Sequence, residues 1–192
     1  MSTYSLRVTG PALETCVLGG PMLVHYGDQH LGTLDPVPVS RGGTEIRIEH
    51  FTPSRTEAAQ RLHGLKIGRI ILLELVAFIA ERFSTVTLIR FCLNRDIESY
   101  REGITLAAER SELLQAMGAS HIVITPKPDA GRIGHFVVAA AWEYNHANLA
   151  ALVATLEVER TAYGERERLA AARSRRKRCW LFPRRPPSVR RP

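Results

Sequence analysis

The sequence predicts one α/β domain with a mixed sheet, followed by a basic C-terminal segment. Three observations lead there. Short alternating or β-branched runs recur along the first 144 residues. From residue 54 onward these runs are separated by single segments of helical periodicity, the order expected when helices cover a sheet. From Arg173 to the end there are nine Lys/Arg and no Asp/Glu.

Residues 4–9 (YSLRVT) alternate and read as a strand. Met22–Tyr26 and Gln29–Leu34 flank Gly27-Asp28. Glycine accepts φ > 0 at the first turn position, so this pair predicts a type II′ hairpin. Pro36 and Pro38 confine their own segment to a sheet edge or a loop. Arg41-Gly42-Gly43 reads as a turn, and Thr44–Phe51 alternates with Ile46 and Ile48 on one side, a strand.

Ser54 and Glu57 have capping-box spacing and predict a helix to about His63. Gly64 and Gly68 bracket a short segment, after which residues 67–83 are apolar on most faces and read as a central helix. Thr85–Leu93 is β-branched and apolar, an inner strand in which Cys92 reads as a small core residue. Residues 94–103 are polar. Ile104–Met117 is helical, with Leu106, Leu113, Leu114 and Met117 on one face and Gly118 ending it. Strands come next at His121–Thr125 and His135–Tyr144. Asn145 then caps a helix that places Leu149, Leu152, Val153, Leu156 and Tyr163 at helical spacing.

Composition narrows the function classes. Hydrophobic residues make up 45% of 192, enough for a core. The cysteines, Cys16, Cys92 and Cys179, are too scattered for a disulfide framework or a zinc site, and a reducing, cytoplasmic setting fits them. The seven histidines form no triad or ligand pattern, so no metal is expected; His121 and His135 begin neighbouring strands. The N-terminus lacks signal-peptide form, and the apolar run 67–83 carries four charges, which argues against a bilayer span. Net charge is +7; without the nine cations of residues 173–192 the remaining chain stands at −2. The domain is therefore expected over 1–172. The tail RSRRKRCWLFPRRPPSVRRP, with four prolines and dense like charge, is expected to be disordered. Its chemistry suits an inert solvated tail, contact with nucleic acid, or an anionic membrane with Trp180, Leu181 and Phe182 as a wedge.

The element order and three segments resemble the GNAT family of N-acetyltransferases. The hairpin Tyr26-Gly27-Asp28-Gln29-His30-Leu31-Gly32 is similar to that family's second and third strands. The strand Thr44–Phe51 leading to His63-Gly64-Leu65-Lys66-Ile67-Gly68-Arg69 resembles its fourth strand and pyrophosphate loop. Ser111 to Ala119, running into strand 121–125, resembles its helix ending in Leu-Tyr-x-x-x-Gly-Phe. Together these cover roughly residues 1–145.

The resemblance implies a GNAT-like mixed, mostly antiparallel sheet with helices on both faces. It also implies acetyl-CoA or another acyl-CoA as co-substrate, and an amine-bearing small molecule or protein as acceptor; a homodimer is compatible with it. His63, Gly64, Leu65, Lys66, Ile67, Gly68 and Arg69 would hold the pyrophosphate, because a helix N-terminus offers converging N–H groups and a favourable dipole. The family pattern Gln/Arg-x-x-Gly-x-Gly/Ala reads here as His63-x-x-Lys66-x-Gly68 or as Arg61-x-x-Gly64-x-Lys66, with Lys66 the main departure. The resemblance makes Glu49, with His50 beside it, the candidate base. The family's acidic Tyr falls on Leu114, which transfers no proton; a second register offers Tyr100. The alternative is a non-catalytic module of the same fold whose basic tail docks a partner.

Overall fold

The structure, a computed structural model of the 192-residue chain, describes residues 6–13, 15–39, 42–49, 51–95, 97–127 and 132–181. Nine strands and four α-helices occur in chain order among them: β1 (Leu6–Thr9), β2 (Met22–Tyr26), β3 (Gln29–Leu34), β4 (Val37–Pro38), β5 (Glu45–Ile48), β6 (Phe51–Pro53), α1 (Glu57–Gly64), α2 (Gly68–Arg82), β7 (Leu88–Arg95), α3 (Tyr100–Ala116), β8 (Ser120–Pro126), β9 (Phe136–Glu143) and α4 (His146–Leu181). The strands form two sheets, β1-β2-β3-β6 and β4-β5-β7-β9-β8. The β5–β7 pair is parallel and the others are antiparallel. This is the mixed, mostly antiparallel α/β architecture expected.

Local chemistry explains the elements. The β2–β3 hairpin turns through Gly27 at φ 56 while Asp28 keeps a negative φ, as a type II′ turn requires. Pro38 ends up on the edge strand β4, where its missing N–H costs no ladder bond. The expected strand 44–51 is instead divided: Glu45–Ile48 belongs to one sheet and Phe51–Pro53 to the other. Ile46 and Ile48 are buried as the alternation predicts.

Helix starts differ from expectation. The N-cap of α1 is Thr56, whose side chain accepts from the Ala59 N–H at 3.3 Å, and not Ser54. Ser54 is held back at the sheet because its N–H donates to the Leu31 carbonyl at 2.8 Å. α3 begins at Tyr100, four residues before the expected Ile104. Ser99 caps it by accepting from the Glu102 N–H, and Ser99-x-x-Glu102 has the capping-box spacing that the polar stretch concealed. Leu113, Leu114 and Met117 are buried, Leu106 is only half-buried, and Gly118 ends the turn at φ 88. β7 starts at Leu88 rather than Thr85, because Val86 turns back to the Phe83 carbonyl.

α2 supplies the core. Ile70, Ile71, Leu73, Leu75, Val76, Ile79 and Ala80 are all buried, each large side chain contributing about 1.5–3 kcal/mol. Trp142 on β9 is fully buried and donates its indole N–H to the Met117 carbonyl at 2.9 Å. Cys92 is half-buried, and of the two thiols described Cys16 is the buried one. His121 and His135 do not meet. β8 and β9 run antiparallel, so the two residues stand at opposite ends of the pair, and His121 (φ 51) lies in its bulge.

Asn145 accepts from the Asn148 N–H at 2.9 Å and starts α4. Leu152, Leu156 and Tyr163 face the core, whereas Val153 is exposed. α4 continues through residue 172 to Leu181, so the first part of the basic segment extends a helix; residues 182–192 lie outside the described residues. Among the described residues, no helix is long and apolar enough to cross a membrane.

Candidate functional site

The two sheets share one strand path, and that path creates a crevice. β5 pairs with β7 from Glu45↔Leu88 to Ile48↔Phe91. Beyond this point Phe51–Pro53 pairs with β3, while Cys92–Arg95 pairs with β9. Two parallel strands therefore part at their carboxyl ends. That arrangement leaves a crevice of the kind in which open α/β sheets take ligands.

The turn between α1 and α2 comes after β6. Its backbone is largely committed to itself: Leu65 N–H bonds to Leu62 O at 3.0 Å, Lys66 N–H to His63 O at 2.9 Å, and Arg69 N–H to Lys66 O at 3.3 Å. Lys66 adopts φ 64, a left-handed conformation that favours glycine. Gly68 opens α2, which has no side-chain cap. A Cβ added at Gly64 or Gly68 would meet nothing within 4 Å.

The side chains of this turn are held from three directions. His63 Nε2 lies 3.0 Å from the Leu31 carbonyl. Lys66 Nζ pairs with Glu109 of α3 at 2.7 Å. Arg69 pairs with Glu159 of α4 at 2.6 Å and donates to the Glu109 carbonyl. Arg166 donates to the Leu65 carbonyl at 2.9 Å. Tyr163, fully buried, has its phenol pushed up to about 12, chiefly by burial and then by Glu167. Glu109, Glu159 and Arg166 are residues that sequence spacing could not single out, since they come from helices 40 to 101 residues away.

Among the expected catalytic residues, Glu49 comes directly after β5 and forms an ion pair with Arg47, two residues earlier on the same strand face. His50 lies outside the described residues. Tyr100 stands at the start of α3, 56% exposed, with its ring edge-on to Phe136 at 5.4 Å. Phe136 pairs with Arg95, whereas the strand before Glu49 ends opposite Phe91. Four residues of β7, about 13 Å, separate these register positions, so the register does not bring Glu49 and Tyr100 together. Leu114 is 0% exposed in the core, which leaves no proton donor at that helix position. Among the described residues, no group of three or more His, Cys, Asp or Glu could hold a metal ion.

No protein-family model matches the chain, and no curated protein matches it. Solved structures show a partial likeness of architecture to GNAT acetyltransferases. A Bacillus subtilis acetyltransferase in complex with CoA shares 14% identity over 67% of this chain and 78% of its own, with a TM-score of 0.42. A GNAT family acetyltransferase from Elizabethkingia anophelis with acetyl-CoA bound shares 11% over 75% and 100%, with a TM-score of 0.42. A spermidine/spermine N-acetyltransferase from Vibrio cholerae shares 10% over 65% and 63%, with a TM-score of 0.42.

Proposed function

We propose that this protein is a cytoplasmic N-acyltransferase that moves an acetyl or longer acyl group from acyl-CoA to a primary amine of a small molecule or protein. The observation that carries the reading is the parting of β5 and β7 after Ile48↔Phe91, with the α1–α2 turn beyond it. An extended thioester arm fits between strands that have lost each other as partners, where it would bond to strand backbone. The pyrophosphate would lie against residues 63–69, where Gly64 and Gly68 leave room and the uncapped start of α2 favours an anion.

In this reading the amine attacks the thioester carbonyl directly. Glu49 takes the amine proton, with His50 as the second candidate base. The thiolate is a stable enough leaving group to depart without an acid at residue 114, and Tyr100 is the candidate to protonate it.

A second reading is favoured by two observations: Leu114 is buried in the core, and Glu49 is already occupied by Arg47. In it the crevice binds without transferring, and the basic residues from Arg173 onward dock a protein, nucleic acid or anionic membrane.

Calorimetric titration of acetyl-CoA into the full chain at about 200 mM salt separates these, because the salt suppresses non-specific phosphate contact with the tail. Saturable binding near micromolar, roughly −8 kcal/mol, is expected. Gly68→Asp should abolish it while keeping the fold, because the new side chain has space and an acidic residue at a helix start is stabilising. No heat at about millimolar ligand, roughly −4 kcal/mol, would sink the acyl-CoA reading. Binding without transfer to any amine, indifferent to Glu49→Gln, would establish the second.

A further inference from the structure

The crevice carries a cationic feature that the α1–α2 turn does not explain. Arg95 is the last residue of β7, on the stretch that has no partner on its β5 side. Arg110 lies on α3 in the same stripe as the buried Gly103, Ala107 and Leu114, the stripe that faces the sheet. Its Nη2 donates to the Asn94 carbonyl at 3.5 Å, which brings its guanidinium to the end of β7. Burial, and then the neighbouring Arg95 charge, push Arg110 down to about 10, so it remains a cation at neutral pH.

Neither guanidinium meets a carboxylate among the described residues. Exposed arginines such as Arg7 and Arg61 lack one too, but Arg110 is half-buried, and the other half-buried arginines, Arg47, Arg69, Arg160 and Arg166, all have a carboxylate. Arg69 has Glu159, Arg160 has Glu74, Arg90 has Glu45 and Arg47 has Glu49. Placing a desolvated cation beside a second cation destabilises the fold unless an anion joins them. The pair also sits where a ligand would pass, at the carboxyl end of a strand that has parted from its parallel neighbour.

We propose that Arg95 and Arg110 form a binding site for a phosphate-type oxyanion at the mouth of the crevice. A guanidinium offers a planar fork of donors that matches two oxygens of a phosphate at once, and two guanidinium groups together balance a dianion. The site stands on its own geometry. If the acyl-CoA reading holds, the group it takes is one of the phosphates of that donor, held apart from the α1–α2 turn.

The test is titration of inorganic pyrophosphate into the full chain at about 200 mM salt, with thermal melting alongside. Arg110→Gln and Arg95→Gln are compared with wild type and with Arg190→Ala/Arg191→Ala, which samples the tail. Wild type and the tail variant should bind saturably and melt higher with ligand, and each crevice variant should bind at least about tenfold more weakly. Both crevice variants should also melt higher than wild type without ligand, since each removes one of two repelling charges; a merely structural arginine would do the reverse. Arg95 is exposed, so its variant keeps the test valid should Arg110→Gln fail to fold. Unchanged pyrophosphate affinity in the Arg95 and Arg110 variants, no binding by wild type, or loss of binding only in the tail variant would each overturn the proposal. Pyrophosphate binding together with no binding of acetyl-CoA would defeat the acyl-CoA reading and leave this site standing.

Discussion

Arg69 on α2 and Glu159 on α4, ninety residues apart, meet at 2.6 Å, with Glu159 only 8% exposed. The pair fastens the C-terminal helix across the start of α2. Arg166, one helical stretch further along α4, reaches the same carboxylate from 3.9 Å and also holds the Leu65 carbonyl. Removing the carboxylate would leave Arg69 desolvated beside Arg166. Glu159→Ala is expected to destabilise the protein by about 3 kcal/mol, read as a lower urea midpoint at unchanged slope.

Lys66 gives a test of the α1–α2 turn. Its left-handed φ of 64 costs a side chain about 1–2 kcal/mol, and its exposed ion pair with Glu109 returns little of that. Lys66→Gly should therefore leave stability within about 0.5 kcal/mol of wild type, because the relieved strain offsets both the lost pair and the extra entropy of unfolded glycine. Lys66→Val should fall about 2 kcal/mol below the glycine variant, since a β-branched residue tolerates this φ poorly. Equal melting of the two variants would contradict the assigned backbone.

Two helical glycines, Gly103 and Gly68, differ in what surrounds them. A Cβ at Gly103 would lie 1.9 Å from the Gly134 carbonyl oxygen, a backbone atom that cannot step aside. Gly103→Ala should cost more than about 3 kcal/mol. Gly68 faces open space at the start of α2, and Gly68→Ala should gain about 0.5–1 kcal/mol from helix propensity. Thermal melting of the two alanine variants checks both signs at once.

Glu74 makes an unusual pH signature. Burial raises its carboxyl above the ordinary 4.5, against the opposing pull of Arg160 and the Leu6 N–H. The folded chain thus holds this proton more tightly than the unfolded chain. Stability contributed at this position is present at pH below 4.5 and is lost as pH rises through the folded value. Denaturation of wild type and Glu74→Gln across pH 4 to 7, roughly the span of an ordinary and a raised carboxylate, should show their stability difference shifting against wild type as pH climbs. A difference that shifts toward wild type over that range would reverse the assignment.

Much of this architecture was readable from residues whose effects are local. Gly27-Asp28 fixed a turn, Asn145 and Gly118 marked helix ends, and Ile46 and Ile48 showed which face of a strand is buried. The structure departs from the sequence pattern where two local signals compete. Ser54 and Thr56 both suit a cap, and only the bond from Ser54 N–H to Leu31 across the sheet decides between them. The polar run before Ile104 hid a helical turn because its side chains face solvent. At the crevice the limit is more basic. Arg110 looks like any other helical arginine until α3 is laid beside Asn94, and nothing in the spacing of Arg69 and Glu159 foretells their meeting.

The length of α4 has a hydrodynamic consequence. Its 36 residues extend about 54 Å at 1.5 Å per residue, against a diameter of about 40 Å for a compact chain of this size. Among the side chains described on it the last core residue is Tyr163, and residues 171–174 are exposed. The protein should therefore tumble as an elongated rotor. Amide relaxation along α4 would then reflect the angle of each N–H to the long axis, a rotational frame fixed by one helix.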